Sequence, residues 1–261
     1  EEDGVIYSRS ILDNKGPILS CLYALTALKR LGIKPEREVR IIFGCDEESG
    51  FEDLKYYLDH EKAPIAGFTP DCKYPVVYAE RGRAVIKLKA DLDHLITFMN
   101  KYILNTQNKG ERLGIDYKND EFGQLEIRNY HLTKEDFSFS ISYPAGLTLE
   151  EILDKLNRIE GYEYEVVSHF KPVYFDKKAP MVEIMKETYE YVTGNDGTPV
   201  TTTGGTYAKM MPHIVPFGPS FPGQKGIGHN PNEWMTREDL ITNAKIYALT
   251  LYQLSRKETE L

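Results

Sequence analysis

The chain has 261 residues, with 32 Lys and Arg against 40 Asp and Glu, and a net charge of −8. The length allows one large domain or one plus a small second domain. The acidic balance excludes a protein that lives on a nucleic-acid backbone, because nothing here neutralises a polyanion. No run of about 18 apolar residues occurs, which argues against a transmembrane helix, and the start Glu1-Glu2-Asp3-Gly4 has no signal-peptide pattern. Three widely spaced cysteines, Cys21, Cys45 and Cys72, suit reduced thiols in the cytoplasm better than a disulfide framework or a cysteine zinc site.

The first third alternates strand and helix. Val5-Ile6-Tyr7 reads as a short strand, and Gly16-Pro17 opens a helix in which Ile18, Leu22, Leu25 and Leu28 recur at helical spacing, predicting that they form its buried face. The β-branched run Val39-Arg40-Ile41-Ile42-Phe43 predicts a strand, residues 51–60 a helix, and 75–79 a further strand. Such alternation implies an α/β layer with a mixed, largely parallel sheet flanked by helices. The middle changes character. Residues 80–92, 125–128, 137–143 and 162–169 read as strands, 95–104 as a helix, and Thr148-Leu149-Glu150-Glu151 is a capping box that opens another helix. That order predicts a small α+β domain inserted at 84–171, with 1–83 and 172–261 forming the main α/β domain. The last third returns to helix at 180–192, a Gly/Pro-rich stretch at 217–228, and a long final helix capped by Thr236-Arg237-Glu238-Asp239.

Four segments concentrate chemistry: Asp13-Asn14-Lys15-Gly16-Pro17, Asp46-Glu47-Glu48-Ser49-Gly50, Thr69-Pro70-Asp71, and Gly228-His229-Asn230-Pro231-Asn232-Glu233. Taken singly each has a bland reading: an acidic run is commonly a solvated turn, an Asp before a helix is commonly a cap, and a lone His is commonly structural. Taken together, in order, they fall near the carboxyl ends of strands, where open α/β sheets bind ligands. Carboxylates gathered there repel one another unless a cation neutralises them, and acidic oxygens with one imidazole suit zinc, manganese or cobalt.

These motifs resemble the aminoacylase/ArgE/DapE family of cocatalytic metallopeptidases, and most of all its PepV-type Xaa-His dipeptidase branch, relatives of carnosinase. The resemblance runs over residues 4–83 and 120–256 and includes Thr203-Gly204-Gly205-Thr206-Tyr207-Ala208 as a substrate-binding glycine loop. It implies a zinc-exopeptidase-like fold with 84–171 as a lid, and two divalent metals, zinc first with manganese or cobalt as alternatives. Asp13 would bridge the metals, Glu48 and His229 would complete one site, and Asp71 would belong to the other. Glu47 would be the general base, and Gly204, Gly205 and Thr206 would hold substrate. The implied activity is hydrolysis of dipeptides by metal-activated water, in the cytoplasm, on small peptide substrates and with no nucleic-acid or membrane partner; the oligomeric state stays open.

The departures from the family pattern are specific. The family's first metal ligand is the His of a His-x-Asp motif some thirty residues before the bridging Asp, and no histidine here precedes His60, so the second metal site is expected to be incomplete. Ser142 stands where relatives place a substrate-clamping Arg, Lys209 where Arg is common, and Ser8 and Ser10 where glycines are usual. Either the sequence is part of a longer enzyme or the protein is a degenerate relative acting by binding alone; a deacylase or desuccinylase of the same family is a further alternative.

Overall fold

The computed structural model describes residues 1–261. The chain forms two compact units, one of Glu1–Tyr78, Phe175–Val200 and Thr206–Leu261, the other of Ala79–Tyr174 and Thr201–Gly205.

The first unit is α/β. Its helices are Gly16–Arg30, Glu52–His60, Pro180–Thr193 and Arg237–Leu254. Parallel pairing joins Gly67–Thr69 to Ile214–Pro216 and Cys72–Lys73 to Pro219–Ser220. Val5–Tyr7 pairs antiparallel with Trp234–Thr236 and so ties the start of the chain to the entry of the last helix. The core beneath is aromatic: Tyr74 stacks on Tyr189 with centroids 5.0 Å apart and meets Phe217 edge-on at 5.1 Å. The Tyr74 hydroxyl, which would be costly to bury unpaired, donates to Asn243 Oδ1 at 2.6 Å.

Two expectations for this unit change. The helix Gly16–Arg30 buries Ser20, Cys21, Ala24 and Leu28, while Leu22 is exposed and Ile18 and Leu25 are only half-buried. Its inner face is built from small side chains because it packs closely on Arg237–Leu254, with Ser20 Oγ donating to the Leu240 carbonyl at 3.2 Å. The apolar spacing therefore pointed one step around the helix from the face that is covered. Residues 39–43 form no strand: they run without a ladder partner, with Phe43 59% exposed. A β-branched run becomes a strand only where a neighbour offers its backbone, and none does here.

The second unit is α+β. One antiparallel sheet has the order Glu163–Phe170, Gly82–Lys89, Asp136–Tyr143, Glu126–Leu132. Ala84, Ile86 and Leu88 are fully buried and sit opposite Ile141, Phe139 and Phe137, so one face carries the core with the period of two that a half-covered sheet demands. Helices Leu92–Phe98 and Leu149–Leu156 supply Leu95, Phe98, Ile152 and Leu156 to the same core. The capping box at Thr148 forms, with the Glu151 N–H donating to Thr148 Oγ1 at 3.2 Å and the Thr148 N–H to Glu151 Oε2 at 2.8 Å.

Candidate metal centre

All five acidic and imidazole residues singled out in the sequence belong to the first unit. Asp13 sits in an irregular turn, Ile11–Lys15, that leads into the helix Gly16–Arg30 and leaves helical geometry at Asp13 and Asn14; the peptide between these two residues is cis. Glu47 and Glu48 lie in a turn that closes on itself, with the N–H groups of Ser49, Gly50 and Phe51 all donating to the Asp46 carbonyl. The Glu52 N–H donates to Asp46 Oδ2 at 3.0 Å, so Asp46 itself has the bland role of a turn and helix cap. Asp71 follows the strand Gly67–Thr69, and His229 lies in the loop before Trp234–Thr236.

From these separate loops three side chains converge. His229 Nε2 is 2.6 Å from Asp13 Oδ2 and 3.1 Å from Glu48 Oε1, and one ligand atom of each residue falls in a cluster no wider than 4.8 Å. An ion with ligand bonds of about 2 Å can reach all three, and two carboxylates with one neutral imidazole are a donor set that zinc accepts. Asn14 Oδ1, next along the chain, is buried without a hydrogen-bond partner, an acceptor to spare at the same turn. The residues therefore fit a divalent cation.

The electrostatics report the same crowding. Burial raises the Asp71 carboxyl well above the usual carboxylate range, and the neighbouring Glu47, Asp13 and Glu48 raise it further, Glu47 also by a side-chain hydrogen bond. Burial pulls the His229 imidazole down, but the Glu48 and Asp13 carboxylates more than offset this and the net direction is up. Asp71 stands outside the three-residue cluster. A cleft of about 830 Å³ is lined by residues of 37–49 and 62–71, among them the acids Glu47, Glu48 and Asp71, together with Asp13 and the apolar side chains Ile41, Phe68, Leu251 and Leu254.

Of the expected substrate residues, Gly204 and Gly205 fall in the second unit and Thr206 in the first. Thr206 is buried and caps the short helix Tyr207–Lys209, its Oγ1 accepting the Ala208 N–H at 3.2 Å; its neighbour Tyr207 lines the cleft. Three residues matter whose own roles are not visible in the sequence: Asp53, which no motif contains, and Tyr207 and Glu233, which stand inside quoted motifs. Asp53 Oδ2 accepts the N–H of Cys45 at 2.6 Å, that of Asp46 at 3.1 Å and the Tyr207 hydroxyl at 2.6 Å, which fixes the turn carrying Glu47 and Glu48. Tyr207 reaches it only because residue 44 is glycine: a Cβ there would collide with the Tyr207 ring and hydroxyl. Glu233 was visible inside a quoted motif, but nothing in its spacing announces bonds to the backbone.

A carboxylate–imidazole cluster beside a cleft in an α/β unit is an arrangement with which a hydrolase can activate water through a divalent metal. The profile of peptidase family M20/M25/M40 matches residues 1–253, and the chain belongs to that family of metal-dependent peptidases. Among curated relatives, the Beta-Ala-Xaa dipeptidase of Lactobacillus delbrueckii subsp. lactis is 24% identical, covering 99% of this chain and 77% of the relative. That alignment runs over 364 positions against 261 residues here, so the relative carries internal segments this chain lacks. Among solved structures, human carnosine dipeptidase 1 superposes with a TM-score of 0.71 at 15% identity, covering 98% of this chain and 74% of that one. A tripeptidase from Staphylococcus aureus gives 0.71 at 17% identity, covering 98% and 75%. These likenesses establish the α/β fold of this peptidase family.

Proposed function

We propose that the chain hydrolyses dipeptides with a metal held by Asp13, Glu48 and His229. The observation that carries this is the meeting of three donors, from loops up to 216 positions apart, within 4.8 Å, two of them, Asp13 and Glu48, lining a cleft. The dipeptidase and tripeptidase names of the relatives support a short peptide as substrate. Zinc is the first choice of metal, with manganese or cobalt next. Asp13 and Asp71 would hold a second ion, with fewer donors and hence more weakly. Bound there, a divalent cation supplies Lewis acidity for the scissile carbonyl and makes water acidic enough to attack near neutral pH.

The rest falls to this chain's side chains. Glu47, hydrogen-bonded to Asp71 and like it lining the cleft, takes the proton of the attacking water on its carboxylate and returns it to the amine of the leaving residue. Gly204, Gly205 and Thr206 bind the substrate backbone, 1–83 with 172–261 form the catalytic domain, and 84–171 is the inserted lid domain. The three free thiols support a reducing compartment, the cytoplasm; no helix is long and apolar enough to cross a membrane.

Glu47→Gln tests the assignment. Gln matches the shape of Glu but cannot take the proton, so dipeptide turnover should fall by about 10²–10⁴-fold while zinc content, measured by elemental analysis, stays unchanged. A loss smaller than tenfold places the base elsewhere.

A further inference from the structure

The side chain of Glu233 is 6% exposed and carries a carboxylate into the protein, an arrangement that is costly unless the oxygens are well used. They are used on two loops at once. Glu233 Oε1 accepts the backbone N–H of His229 at 3.1 Å, and Oε2 accepts the N–H of Leu12, 221 positions away, at 3.4 Å. Its own carbonyl takes the Ser8 N–H at 3.1 Å, continuing the ladder of Val5–Tyr7 with Trp234–Thr236 across to the Asp13 turn. Leu12 immediately precedes Asp13, and His229 is itself the imidazole of the cluster, so the two N–H groups chosen belong to the backbone on either side of the closest donor contact, Asp13 Oδ2 to His229 Nε2 at 2.6 Å.

The conformation of His229 makes the contact more telling. Its φ is 61°, in the left-handed region that costs energy for a residue with a side chain. The N–H that Glu233 Oε1 receives is that of this strained residue. Without the carboxylate the loop can relax toward ordinary backbone geometry and swing the imidazole away from Asp13.

We infer that Glu233 is a positioning residue: its two oxygens lock the Asp13 turn and the His229 loop together and preset the donors before any ion arrives. This rests on reading Asp13, Glu48 and His229 as a metal site. A purely structural carboxylate would lower the melting temperature when removed but leave the metal affinity of the folded chain unchanged. A positioning residue shows itself in affinity, where partners behind the ligands are typically worth about 10–100-fold.

The test uses the full chain as wild type, Glu233→Gln, Glu233→Asp and His229→Ala. Cobalt(II) is titrated well below the melting temperature and followed by its visible spectrum, and hydrogen exchange is measured at the Leu12 and His229 amides of the metal-free protein. Gln keeps one acceptor oxygen and puts an NH2 group against the other N–H, so cobalt affinity should fall by about 10–100-fold and both amides should exchange at least about tenfold faster, as lost hydrogen bonds expose them. Asp keeps the charge with a shorter reach and should recover part of both, and it carries the same comparison should the Gln variant not fold. Cobalt bound equally well by wild type and Glu233→Gln, or unchanged protection at both amides, overturns the inference alone. A wild type that binds cobalt no better than His229→Ala overturns the metal reading and the inference with it.

Discussion

Asp53 is the residue on which the turn holding the two glutamates most depends. Burial raises its carboxyl, but the Tyr207 hydroxyl and the N–H groups of Cys45, Leu54 and Asp46 outweigh this, and the net position is below the usual carboxylate range. A carboxyl whose pKa falls on folding favours the folded state above its unfolded pKa of about 3.9, and that contribution disappears as pH falls through the lower folded value. Asp53→Asn should therefore be less stable than wild type in urea at pH 7, and the gap should close below about pH 4. A gap that does not narrow at all as pH falls below about 4 would mean that packing, not the ionised carboxylate, holds the turn. Asp53, and the contact that Tyr207 of the glycine-loop motif makes with it, were illegible in the sequence because both act between distant segments. Asp13, Glu48 and His229 stood out because their motifs carry recognisable neighbours; their meeting at 2.6 and 3.1 Å is a product of the fold, which no spacing encodes.

Among the elements, those with local signals were the legible ones. Both capping boxes, at Thr148 and Thr236, form where Ser/Thr-x-x-acid patterns stand, and the central strands of the second unit, Gly82–Lys89 and Asp136–Tyr143, send alternate apolar side chains to its core. Elements set by their neighbours were not legible: the covered face of Gly16–Arg30, and the fate of residues 39–43. Gly16 shows how a neighbour overrides local preference. Ala is favoured over Gly in a helix by about 1 kcal/mol, yet a Cβ at residue 16 would collide with the Ile11 carbonyl oxygen and come within 2.8 Å of Met235 Sδ and 2.9 Å of Leu240 Cδ2. Overpacking a filled space costs about 1–3 kcal/mol, so the clash wins. Gly16→Ala should lower the melting temperature measured by circular dichroism; a rise would show that the Asp13 turn yields without penalty.

For the whole molecule, the four carboxylates around Asp13 make the metal-free protein a strained electrostatic object, and anything that binds the folded form alone stabilises it. At a zinc concentration about 100 times the dissociation constant the gain is about 2.7 kcal/mol, or roughly 5–10 °C for a chain of this size. Thermal scans with and without zinc should show that shift in wild type and lose it in His229→Ala; equal shifts in both would place the ion elsewhere. The α/β class was readable at this scale from strand–helix alternation, but the parallel ladders are only two and three residues long, shorter than any hydrophobic pattern can mark. The stretch 39–43 has a consequence beyond catalysis. A β-branched run outside any ladder, with Phe43 and the neighbouring Ile42 both exposed, is a template on which a second polypeptide can crystallise its own hydrogen bonds, the hazard of any unprotected sheet margin. Concentrated solutions should scatter light progressively through that seam, and Ile42→Lys, a charge set in the middle of it, should delay the onset; scattering that ignores the lysine would acquit the segment.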